Sequence, residues 1–237
     1  MPISPEALIE RVDQLKDDEA QQLLIALKHK VIQACAHDGL QYLRFVSTKD
    51  EADPLNAVKM FPFGKLYTQE IWKALDRATV AVIAKSRQMI LSWLVASYCT
   101  WWARFKPHQA IYYQMQAYPD AVKMVCEAKG KPMGRSQFIE QHLPLWLRQP
   151  VREGEGIVSY PNGSFIQALA GGEKQVRGKT GSILVLDEFS AHEEARQEWT
   201  AVAPLLQKGA KIFVISTPNG RENQFGDLFF GFRVQRD

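Results

Sequence analysis

Two adjacent carboxylates close an apolar run in this chain: Ser182-Ile183-Leu184-Val185-Leu186 leads directly into Asp187-Glu188. A buried strand that delivers acids at its C-terminal end puts them where open parallel sheets bind ligands. There Asp187 is suited to hold a Mg²⁺ shell and Glu188 to orient and deprotonate an attacking water. The bland alternative is a strand capped by solvated acids. A second segment, Lys85-Ser86-Arg87-Gln88-Met89-Ile90-Leu91-Ser92, joins a β-branched run to a helical one, the place of a phosphate-binding loop. Aligned on G-x-x-x-x-G-K-[ST], Lys85 falls on the first glycine, Ile90 on the second, Leu91 on the lysine and Ser92 on the hydroxyl residue, so the bare pattern fails. The chemistry requires N–H groups at a helix start, a cation near the terminal phosphates and a hydroxyl for Mg²⁺; Lys85, Arg87 and Ser92 supply the last two. A solvated basic connection is the competing description. A third run, Lys211 to Ile215, ends in Ser216-Thr217-Pro218-Asn219-Gly220. Polar groups there suit a sensor of the γ-phosphate, although Pro-Asn-Gly is also plain turn chemistry.

The elements that must position these residues alternate along the chain. Thr79 to Ala84 predicts a strand and Ser92 to Phe105 a helix; Ala110 to Gln114 and Pro119 to Lys129 repeat the pair. Ile183 to Leu186 and Ile212 to Ile215 are short and almost wholly apolar, the pattern of buried parallel strands. Between them, Ile157 to Tyr160 and Ser164 to Leu169 flank Pro161-Asn162-Gly163, a hairpin signal. Upstream, Leu8, Ile9, Val12 and Leu15, then Leu23, Leu24, Leu27 and Val31, recur at helical spacing, with Ser4, Glu6, Asp17 and Asp18 near the starts. This predicts a helical hairpin. Residues 49–65 read as a loop leading into the main domain. The expected division is a helical lead-in over residues 1–48 and one α/β domain over 49–237.

The 237 residues, 46% of them hydrophobic, suffice for a sizeable core and argue against disorder. The apolar stretch from Ile90 to Trp102 is broken by Ser92, Ser97 and Thr100, which excludes a membrane span by its pattern. The start of the chain lacks a charged, apolar and small-residue succession, so export is not expected. Cys35, Cys99 and Cys126 are too far apart for a zinc site or a redox dithiol. A net charge of +3 permits nucleic-acid binding without indicating it.

Together, Lys85-Ser86-Arg87-Gln88-Met89, Ile183 to Glu188 and Ser216-Thr217-Pro218 resemble, in order and spacing, the ATPase domains of phage large terminases. The resemblance covers Phe61 to Phe230. It implies a P-loop NTPase fold with a mainly parallel sheet flanked by helices, ATP and Mg²⁺ as cofactors, and an ATP-hydrolysing motor that drives double-stranded DNA into a procapsid. It implies Lys85 as a displaced Walker A lysine, Arg87 as a second phosphate-side cation, and Ser92 and Asp187 as Mg²⁺ ligands. Glu188 is implied as catalytic base, and Ser216 and Thr217 as coupling residues. Arg177-Gly178 resembles the family's Arg-Gly segment, whose arginine reaches a neighbouring subunit's nucleotide. Phe61-Pro62-Phe63 through Tyr67 and Gln69 resembles the segment that contacts adenine. The implied partners are duplex DNA, a homo-oligomeric ring on a portal and a small terminase subunit, in the cytoplasm of an infected bacterium. The loop from Gln167 to Lys179 reads either as a DNA or subunit contact or as a solvated basic loop. Two departures stand out. Ile90-Leu91 replaces the usual glycine and lysine, and the chain stops at Asp237, so no nuclease activity is expected. A helicase-like ATPase fragment and a non-hydrolysing assembly subunit are the competing readings.

Overall fold

The computed structural model describes residues 18–50, 57–86 and 90–231. Residues 1–17, which hold the first run of the expected helical hairpin, lie outside the described residues. Its second run is the helix α1 (Asp18–His37), and Asp38 caps the short α2 (Gly39–Leu43) by accepting from the Leu40 N–H at 2.9 Å. The region read as a loop contains a strand. β1 (Ser47–Lys49) pairs antiparallel with β2 (Val58–Met60), and three-residue strands are too short to leave a period in the sequence. Helix α3 (Leu66–Arg77) leads into the first strand of the main sheet.

That sheet has seven strands. β3 (Val80–Ala84), β4 (Ala110–Gln114), β7 (Phe165–Leu169), β8 (Ile183–Asp187) and β9 (Lys211–Ser216) run parallel to one another, while β5 (Arg152–Gly154) and β6 (Ile157–Ser159) add an antiparallel flank beside β7. The spatial order is β3-β9-β8-β4-β7-β6-β5. The expected turn at Pro161-Asn162-Gly163 joins β6 to β7. Here Asn162 donates to the carbonyls of Ala103, Arg104 and Lys106, and Gly163 takes φ +82°, which favours glycine.

The apolar runs are explained by burial on both faces. Along β8, Ile183 and Val185 enter one core while Leu184 and Leu186 enter the other; along β9, Phe213 and Ile215 oppose Ile212 and Val214 in the same way. The first core also receives α4 (Leu91–Phe105), α5 (Tyr118–Val125) and α6 (Arg135–His142). The second is covered by α8 (Ala195–Gln207) and α9 (Gln224–Gly231), with the short α7 (Glu173–Val176) preceding β8. Cys35, Tyr42, Leu43, Phe45 and Val46 are buried in the first core, so the lead-in shares its interior with the sheet. No helix among the described residues is long and apolar enough to cross a membrane.

The connection from β3 through α4 to β4 passes over β9 and β8 on one face, and β8 returns to β9 through α8 on the other. The C-terminal ends of β3, β9 and β8, neighbours in that order, lie along one edge of the sheet, in the crevice where open parallel sheets bind ligands.

Candidate active site

The crevice gathers residues from four strand ends. Lys85 follows β3, and its N–H donates to the Ser216 carbonyl at 2.9 Å, which docks the start of the loop on the end of β9. Its side chain turns inward and is 8% exposed. Lys85 Nζ lies 2.9 Å from Asp187 Oδ1, 3.0 Å from Glu188 Oε1 and 3.2 Å from Ser92 Oγ. One ammonium thus spends its three donors on two carboxylates and a hydroxyl. Burial alone would pull the lysine's pKa down, but Asp187 and Glu188 outweigh it and hold the group above its ordinary value.

Asp187 is buried, with both oxygens engaged. Oδ1 accepts from Lys85 and from the Glu188 N–H at 2.9 Å; Oδ2 accepts from the Tyr113 hydroxyl at 2.7 Å and from Ser92 at 3.5 Å. Burial first, and the Asp187 charge second, push the Tyr113 phenol well above its usual range, so it stays a donor. Glu188 faces outward at 40% exposure on a backbone of φ 52°, ψ 39°, left-handed for a residue with a Cβ. Its Oε2 accepts from the Thr217 N–H at 3.4 Å. Ser216 Oγ accepts from the Ser190 N–H at 3.0 Å and lies 2.7 Å from Ser190 Oγ, which donates to the Thr217 carbonyl at 2.9 Å. Ser216 at the end of β9 and Thr217 after it therefore grip the turn that follows the acid pair.

The segment expected to bind phosphate is described at its two ends. Arg87, Gln88 and Met89 lie outside the described residues; Ser86 is exposed, and Ile90 stands at the N-cap of α4 with φ −64°. Leu91 is 1% exposed, inside the core. A lysine at that position would bury its charge. Gln69 and the aromatic segment before it contact one another. Gln69 donates to the Phe63 carbonyl at 3.0 Å, Phe61 is a core residue, and the Arg44 guanidinium sits 4.8 Å from the Phe63 ring centre. Arg177 follows α7, is 66% exposed and pairs with Glu173 at 2.8 Å. It is not among the groups that meet at Lys85.

Sequence reasoning missed Tyr113, Ser190, His192 and Glu198. Tyr113 is hidden inside an apolar run, and nothing in its type separates it from a packing residue. His192, four residues after Glu188, was a visible signal: its Nε2 lies 3.0 Å from the Asp187 carbonyl, and its Nδ1 lies 2.6 Å from Glu198 Oε2.

Asp187 and Ser92 present hard oxygen donors suited to Mg²⁺. Among the described residues no three His, Cys, Asp or Glu side chains cluster tightly enough to hold a metal unaided.

Residues 82–236 match the family described as "Terminase large subunit, T4likevirus-type, N-terminal". Over 80 residues the chain is 34% identical to the Mu-like prophage FluMu protein gp28 of Haemophilus influenzae, covering 34% of this chain and 16% of that protein. The crystal structure of the HK97 bacteriophage large terminase aligns with a TM-score of 0.59 and 13% identity, covering 84% of this chain and 41% of that one. The large terminase of the thermophilic bacteriophage D6E aligns at a TM-score of 0.50 and 11% identity, over 71% of this chain and 43% of that one. The chain thus spans under half the length of each of these proteins, and the structural matches speak for the fold alone.

Proposed function

The chain belongs to the terminase large subunit family, and from that premise we propose that it is the ATP-hydrolysing motor part of a phage DNA-packaging machine. The observation that carries this reading is the Lys85 ammonium held between Asp187, Glu188 and Ser92, on three separate segments at the C-terminal edge of the sheet. When bound, Mg²⁺ supplies charge neutralisation at the phosphates and positions their oxygens. In this reading Lys85 leaves the acids and follows the β- and γ-phosphates, a move that a flexible four-carbon stem permits. Asp187, held by Tyr113, and Ser92 face the metal shell. Glu188, freed of the lysine, takes the proton of the attacking water. Ser86, Ile90 and Leu91, with Arg87, Gln88 and Met89 between them, form the phosphate-binding segment of this reading. Ser216 and Thr217, bonded to Ser190 and Glu188, carry the loss of the γ-phosphate into the following segment. Gln69 reads the adenine, and Arg177 reaches the nucleotide of a neighbouring subunit, where its charge offsets that of the transition state. The partners of this reading are duplex DNA, further copies in a ring on a portal and a small terminase subunit, in the cytoplasm of an infected bacterium.

The test is phosphate release from Mg²⁺-ATP by the purified chain over a protein concentration series, with and without duplex DNA. Turnover that rises with protein concentration and is lost in Glu188→Gln supports the motor. Nucleotide binding without turnover in any condition removes the hydrolytic role. No binding at all favours the assembly-subunit reading, in which Ile90-Leu91 has cost the loop its ligand.

A further inference from the structure

Next to the acid pair lies a second polar cluster that the chemistry above does not use. The side chains of His192 and Glu198 are both 0% exposed and lie 2.6 Å apart. His192 Nε2 meets the Asp187 carbonyl at 3.0 Å, and the other Glu198 oxygen accepts from the Gly172 N–H. Gly172 has φ +106°, a backbone that side chains rarely adopt. Its loop is held from below as well: Gln114 donates to the Ala170 carbonyl at 2.8 Å and the Gly172 carbonyl at 3.3 Å, and the Gly171 N–H donates to the Gln116 carbonyl at 3.2 Å. One residue further, Glu173 begins α7 and pairs with Arg177.

The proton count restricts what this cluster does. A carbonyl only accepts, so the imidazole Nε2 carries a hydrogen. The contact between Nδ1 and Glu198 then contains one proton, on the ring or on the carboxyl. Either way the pair is neutral as a whole and keeps all three bonds. An apolar pair of similar volume would fill the same space but leave the Asp187 carbonyl and the Gly172 N–H without these partners. What the histidine and the glutamate supply beyond volume is therefore their bonds to the main chain on either side.

We infer that His192 and Glu198 are positioning residues that tie the main chain of Asp187 to the Gly172 loop, so that a shift of the acid pair is passed to the segment bearing Arg177. The inference rests on the proposed roles of Asp187 and Arg177.

Three variants separate this tie from mere packing. Glu198→Gln can keep every bond, its carbonyl accepting from Gly172 and its amide donating to Nδ1. Glu198→Ala cuts the tie. The double variant His192→Leu with Glu198→Leu cuts it while refilling the space, which guards against a failure to fold. Mg²⁺-ATP hydrolysis is measured over a protein concentration series, together with hydrogen exchange at the Gly172 amide. Glu198→Gln is expected to behave as the unaltered protein. The two cutting variants are expected to lose about tenfold in kcat with KM nearly unchanged, to lose the rise of turnover with protein concentration, and to exchange the Gly172 amide faster. Full turnover with intact concentration dependence in the folded double variant overturns the inference, as does an equal loss in Glu198→Gln and Glu198→Ala. If the unaltered protein hydrolyses no ATP, the reading of the site fails separately. Gly172 exchange then decides the tie, and equal rates in the unaltered protein and the double variant refute it.

Discussion

Two buried ion pairs lie on the same helix-covered side of the sheet, and they differ in what surrounds them. Arg104 of α4 meets Glu140 of α6 with both side chains sealed, at 0% and 1% exposure. Glu140 also accepts from the Tyr160 hydroxyl at 2.9 Å, and Arg104 donates to the Leu147 carbonyl at 2.6 Å. Every partner there belongs to the packed core, and the planar guanidinium fits them at fixed angles. Lys85 and Asp187 are nearly as buried, at 8% and 1%, yet Lys85 also holds Glu188, which is 40% exposed. The first pair has no route for exchange. The second shares its cation with a solvent-facing acid, so on the proposed reading an arriving phosphate takes the lysine without opening the core. Burial of charge therefore does not mark a site; a partner that can be traded does.

The comparison can be broken from either side. Arg104→Met should show the largest effect, a loss of about 3–5 kcal/mol in stability from stranding Glu140, read as a shifted urea midpoint. Turnover per folded molecule should not change, and a folded but inactive variant would erase the distinction. Glu188→Gln should do the reverse: unaltered urea unfolding and a fall of about 10²–10⁴-fold in phosphate release. Lys85→Ala should follow, with about 10²–10³-fold lower turnover. The folded-state pKa of Lys85 is raised, so its contribution to stability is fully present below its ordinary value of 10.5 and is lost only as pH climbs through the raised one. The stability difference between Lys85→Ala and the unaltered protein should then be the same at pH 7 and about pH 9, measured by urea unfolding at each. Tyr113→Phe should give a smaller effect, about tenfold in turnover, because Asp187 keeps its other bonds.

The acid pair and the loop position were legible because a parallel strand buried on both faces reads as an unbroken apolar run, and its end is where polarity returns. Asp187-Glu188, Lys85 and Ser216 all stand at such ends. The supports behind them were not legible. Tyr113 sits within its strand, so its phenol carries no mark of the aspartate it meets across the sheet. His192 and Glu198 meet across a short 3₁₀ turn and the first turn of a helix, and no periodic pattern pairs residues six apart there. Arg104 lay inside an apolar helix, and its partner is 36 residues away. The β1–β2 ladder was lost for want of length.

The left-handed backbone at Glu188 carries a further consequence, for engineering and for selection. A side chain costs about 1–2 kcal/mol in that conformation, and glycine almost nothing. Glu188→Gly should therefore raise the urea midpoint while ending hydrolysis. If so, this position trades stability for activity, and a screen of the chain for thermal robustness alone would select against its own catalyst.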